Sequence, residues 1–108
     1  MSLTEKTLTE VRDLLRKGEA SSIALTEAIL ERVAAVDGSV KSYLRTTPEL
    51  ALEQAKAADA RIAAGEQGPL LGVPVGIKDL ICSEGVETTA GSKILEGFHD
   101  SFMKRLTC

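Results

Sequence analysis

The chain has 108 residues, of which 44% are hydrophobic, 27% charged and only 3% aromatic. That composition excludes a disordered chain and more than one domain, and it demands a core of Leu, Ile, Val and Ala. With 13 basic against 16 acidic residues the formal charge is −3, which leaves no basic footprint for nucleic acid.

Two cysteines, Cys82 and Cys108, do not make a disulfide framework and point to a reducing cytoplasm. No apolar run approaches the roughly 18 residues of a membrane span. The opening MSLTEKTLTE has neither the basic nor the apolar region of a signal peptide.

Taken in order, the chain first predicts two helices. Thr7 reads as an N-cap with Glu10 as its capping-box partner, and Leu8, Val11, Leu14 and Leu15 form an apolar stripe that Gly18 ends. Ser21 or Ser22 caps the second helix, whose face is Leu25, Ile29, Val33 and Val36, and Asp37-Gly38 is expected to stop it. Together these make a helical hairpin over residues 1–38. Its expected role is packing within the domain, the sharper alternative being a partner-subunit surface. Residues 39–67 are expected to hold a short strand at 42–45, with Tyr43 as a core or edge side chain, and then a long helix. That helix starts at Thr47-Pro48-Glu49, with proline in the first turn and an acid near the positive end of the dipole. Leu52, Ala55, Asp59 and Ile62 mark one side of it, and Gly65 closes it.

Residues 68–98 carry the candidate chemistry. Val73, Val75 and Ile77 alternate with Pro74, Gly76 and Lys78, which predicts a strand with a Val/Ile core face and a small-residue face reaching Lys78. A small face is where another backbone or a substrate approaches closely. Asp79 is placed on the side opposite Lys78. A turn is expected at Ser83-Glu84-Gly85. Thr88-Thr89-Ala90-Gly91-Ser92 then has two readings: it presents hydroxyls and N–H groups to a ligand, or it is a structural loop of small residues.

The run Gly72-Val73-Pro74-Val75-Gly76-Ile77-Lys78-Asp79, followed by Gly85 and Thr88-Thr89-Ala90-Gly91-Ser92, resembles the amidase signature family. The family's lysine motif has the form G-[VI]-P-[VI]-x-[VI]-K-D. The resemblance covers roughly the first 98 residues. It implies an α/β fold in which the hairpin and the long helix pack on the start of a mixed β-sheet, incomplete here. It also implies a Ser–cis-Ser–Lys triad with Lys78 as the catalytic base. Both catalytic serines belong to a Gly/Ser-rich block that does not occur in these 108 residues. Ser83 and Ser92 are not in that context. The chain by itself is therefore expected to be inactive, although its complete parent would be an amide-hydrolysing enzyme. In the family's amidotransferase branch, glutamine is hydrolysed and the ammonia passes to partner B and C subunits. Those partners amidate a tRNA-bound glutamate, tRNA is engaged only indirectly, and ATP and magnesium belong to the B subunit's step. The alternatives are a fragment of a stand-alone small-amide amidase and a non-catalytic partner-binding piece. Residues 99–108 depart from the family pattern, as in a chain cut short, a shifted frame or a pseudogene product.

No cofactor or metal is expected. His99 is the single histidine, far in spacing from any ligand set, and reads as a surface residue. The glycine spacing around Gly72 and Gly76, with Asp79 after Lys78, does not fit a phosphate loop.

Overall fold

Thr7 and Glu10 close the first helix as the sequence predicts. The Thr7 N–H donates to Glu10 Oε2 at 2.7 Å, and the Glu10 N–H donates to Thr7 Oγ1 at 3.3 Å. This reciprocal pair satisfies two of the donors that a helix start leaves without an intrahelical partner. Helix α1 runs Leu8–Lys17 and ends at Gly18, whose φ of 75° is left-handed. A computed structural model describes residues 3–79, 81 and 86–97 of the chain. The expected turn at Ser83-Glu84-Gly85, both cysteines, His99 and the divergent tail 99–108 lie outside the described residues.

Helix α2 runs Ser22–Val40, capped by the Ser21 hydroxyl, which accepts from the Ala24 N–H at 3.0 Å. It passes through Asp37-Gly38 instead of stopping there. The Asp37 carbonyl accepts the Lys41 N–H at 2.7 Å, and Asp37 Oδ1 accepts the N–H of Ser42 at 2.7 Å and of Tyr43 at 3.4 Å. Asp37 thus satisfies the end of the helix from inside it, and Lys41 takes the left-handed position with φ 56°. Because the Ser42 and Tyr43 N–H groups are bound to that carboxylate, the segment 42–45 forms no strand. Tyr43 is 45% exposed, not a core side chain.

Helix α3 runs Pro48–Ala63 with proline in its first turn and Glu49 at its positive end. Thr47 is its N-cap residue by position only, since its side chain makes no capping hydrogen bond. Gly65, at φ 90°, follows the C-cap Ala64. Helix α2 packs along α3 and against a short 3-10 turn, Leu3–Glu5. The core cluster joins Val11 and Leu15 of α1, Leu25 of α2 and Val73, with Leu3 and Ile62 against it. Burial of each such side chain is worth ~1.5–3 kcal/mol. Ile29, Val33 and Val36 stay half-buried, lining a shallow groove with Val40 and Tyr43.

The stretch after α3 is a turn and not a strand. The Val73 N–H donates to the Leu70 carbonyl at 3.0 Å. The buried Ser22 hydroxyl donates to the Gly72 carbonyl at 2.7 Å. The close approach expected of a small residue falls at Gly72: a Cβ there would stand 3.0 Å from Ile62 Cδ1 and 3.3 Å from Leu15 Cδ1. Val73 is buried, but Val75 and Ile77 are 49% and 47% exposed. The predicted Val/Ile core face is therefore only begun. A strand needs a ladder partner for its backbone groups, and among the described residues there is no strand. The described chain is helical, with three α-helices and two 3-10 turns. No helix among those residues is long and apolar enough to cross a membrane. The chain divides into two compact units, one ending at Pro74 and one beginning at Val75.

Candidate active site

The second unit holds Lys78, Asp79 and the Thr/Gly/Ser loop, and the Asp79 carboxylate joins them. Asp79 Oδ1 accepts the Thr89 N–H at 3.1 Å. Asp79 Oδ2 accepts the Thr89 hydroxyl and, at 3.2 Å, the Gly91 N–H. The Asp79 carbonyl accepts the Ala90 N–H at 3.0 Å. The loop itself is a tight turn. Ala90 and Gly91 have φ of 50° and 73°, and the Ser92 N–H donates to the Thr89 carbonyl at 2.8 Å. Positive φ at both central residues is the pattern of a type I′ turn, which glycine favours and alanine tolerates only when held. Ser92 then caps the 3-10 turn Lys93–Leu95, its hydroxyl accepting the Ile94 N–H at 3.3 Å.

These bonds decide between the two readings of the loop. Thr88 and Thr89 are buried, and the Thr89 hydroxyl, the Thr89 N–H and the Gly91 N–H are all directed at Asp79. Within the described residues the segment is a structural loop rather than an open cradle for a ligand. Asp79 is the residue that sequence reasoning left without a role. The available signal was a run of small hydrogen-bond donors ten residues after an acid that follows the motif lysine.

Lys78 precedes Asp79, and its carbonyl accepts the Ile81 N–H at 3.0 Å. Its side chain is exposed. The burial expected from its small neighbours is not met, because nothing among the described residues covers that side of the segment. Ser92 is engaged in capping, in keeping with its exclusion as a nucleophile. Ser83 lies outside the described residues.

Residues 24–107 match the amidase family, and the chain belongs to that family. It is similar to the A subunit of the glutamyl-tRNA(Gln) amidotransferase of Thioalkalivibrio sulfidiphilus, with 54% identity over 94 residues that cover 87% of this chain and 19% of the relative. The protein of the same name from a Geobacter species is 50% identical over 98 residues, covering 91% of this chain and 20% of the relative. That of a Jannaschia species is 49% identical over 100 residues, with coverage of 93% and 20%. The chain spans about a fifth of the length of these curated relatives.

Proposed function

We propose that this chain is the N-terminal part of a single amidase domain and that Lys78 is the base of its Ser–cis-Ser–Lys triad. The observation that carries this reading is the linkage of the lysine motif to the Thr/Gly/Ser loop by the Asp79 carboxylate. Two sequence blocks of one family meet beside one candidate base.

In the complete protein the neutral Lys78 amine takes a proton from the nucleophilic serine through the bridging serine. A serine hydroxyl is a poor nucleophile until such a base is adjacent. The serine oxygen then bonds to the amide carbonyl carbon, the C–N bond breaks, and the nitrogen leaves as ammonia carrying the returned proton. Water cleaves the resulting acyl-enzyme. Lysine, ordinarily titrating at about 10.4, serves as a base only when burial or nearby positive charge favours its neutral form. The exposed Lys78 side chain marks where the rest of the domain would close over it.

In the same reading residues 73–77 become a strand once the remainder of an α/β domain supplies partners. The exposed Val75 and Ile77 side chains support this, since they form the uncovered part of an apolar face. From the relatives' names we infer that the amide is glutamine and that the ammonia serves amidation of Glu-tRNA(Gln), with B and C subunits as partners. The charge of −3 fits a segment that does not itself hold tRNA.

The test is ammonia release from glutamine by a complete A subunit carrying residues 1–97 of this chain, assayed with its partner subunits. Lys78→Ala is expected to lower kcat by about 10⁴-fold or more. Lys78→Arg should fail equally, because arginine stays protonated. A Lys78→Ala rate equal to the parent's would overturn the assignment. Turnover of simple amides without response to glutamine would identify a stand-alone amidase instead.

A further inference from the structure

We propose that Asp79 is a positioning residue for Lys78: by binding the 88–92 loop, its carboxylate fixes the backbone that carries the lysine and keeps its own charge turned away from it. The inference rests on the amide-hydrolysis reading above. Three donors converge on one side chain: the Thr89 N–H, the Thr89 hydroxyl and the Gly91 N–H. The backbone is held on both sides as well. The Lys78 carbonyl accepts from Ile81 and the Asp79 carbonyl accepts from Ala90, each at 3.0 Å. The peptide between the two residues therefore has little freedom to rotate.

The chemistry gives this arrangement a purpose. A carboxylate aimed at a neighbouring amine favours the ammonium form, which cannot act as a base. Asp79 directly follows Lys78 in sequence and would have that effect if it were free to swing. Hydrogen bonds from three groups occupy both of its oxygens and direct them toward the loop. A clamp of this kind makes its difference in kcat, because misplacing a reacting group by about 1 Å can cost 10²-fold in rate.

The experiment uses the complete A subunit carrying residues 1–97, with Lys78→Ala as reference. Asp79→Ala and Thr89→Val are each expected to lower kcat by about 10²-fold with KM little changed and the melting temperature close to the parent's. Thr89→Ser, which keeps the hydroxyl, should retain the parent's kcat. Asp79→Asn keeps one acceptor oxygen and should fall between. In the 108-residue chain, Asp79→Ala should speed amide hydrogen exchange at Thr89 and Gly91 by about tenfold, the effect of one lost hydrogen bond. A folded Asp79→Ala enzyme with the parent's kcat, while Lys78→Ala is inactive, would overturn the positioning role alone. So would a rate loss that only tracks the unfolded fraction. An active Lys78→Ala enzyme would instead overturn the amide-hydrolysis reading, and the exchange measurement would still report on the clamp.

Discussion

Asp59, on α3, caps α2: its carboxylate accepts the N–H of Ser22 at 2.7 Å and of Ile23 at 3.1 Å, across 37 and 36 residues of sequence. A helix start leaves its first N–H groups without intrahelical partners, and here a second helix supplies the acceptor. The bond fixes where α3 meets α2 and brings Ser22 to the Gly72 carbonyl.

Asp59→Ala should therefore destabilise the chain by about 1–3 kcal/mol, because it strands two N–H groups at a partly buried helix start. Asp59→Asn, which retains one acceptor, should cost less. Urea denaturation monitored by circular dichroism reads both. An alanine variant as stable as the parent would mean that Ser21 alone suffices to cap α2.

Gly72→Ala should be destabilising by ~1–3 kcal/mol for two reasons that add. Gly72 has φ 82°, a left-handed conformation that costs an L-residue roughly 1–2 kcal/mol. The new methyl would also stand 3.0 Å from Ile62 Cδ1 and 3.3 Å from Leu15 Cδ1, which forces the core side chains to shift. Thermal melting measures the loss, and Gly18→Ala provides the comparison, since Gly18 has φ 75° but nothing within 4 Å of its Cβ position. Equal losses at the two sites would remove the packing contribution and leave only backbone strain.

The capping box predicts an acid-sensitive contribution. The Thr7 backbone N–H, aided by the Thr7 side chain and the Lys6 charge and opposed by slight desolvation, holds the Glu10 carboxyl below its ordinary value. A depressed folded value means that the stabilisation is complete above the unfolded glutamate value. It is lost as pH falls through the folded one. Melting temperature followed from neutrality into acid should show that loss, and Glu10→Gln should remove its share of the acid dependence. An unchanged pH profile for Glu10→Gln would contradict the assignment.

The 108-residue chain alone should release no ammonia from glutamine, because it contains no Gly-Gly-Ser-Ser-Gly block to supply a nucleophile. It should also self-associate. Ile94 is 92% exposed, and Val75 and Ile77 are about half exposed, more apolar surface than singly scattered residues present. Light scattering should rise with concentration, and Ile77→Lys with Ile94→Lys should suppress the rise. A monodisperse parent would refute the association, and ammonia release that depends on Lys78 would refute the inactivity.

Features whose partners lie within a few residues were legible in the amino-acid order alone. Thr7 with Glu10, Gly18, Ser21, Pro48 and Gly65 mark helix ends through bonds or dihedrals local to the turn they close. The lysine motif and the Thr/Gly/Ser block were legible for the same reason, as short patterns. Whatever depends on distant groups needed the folded chain. Asp59 reads as one mark on a helix face until α2 presents its N–H groups to it. Asp37 reads as a helix stop until its carboxylate finds Ser42 and Tyr43 beyond the next turn. The alternation through Val73, Val75 and Ile77 is a strand pattern, but a strand exists only where a second chain segment pairs with its backbone, and the described residues offer none. Asp79, finally, was indistinguishable from a solvated acid beside a lysine. A turn with positive φ at Ala90 and Gly91 had to bring three donors onto its two oxygens before it acquired a role.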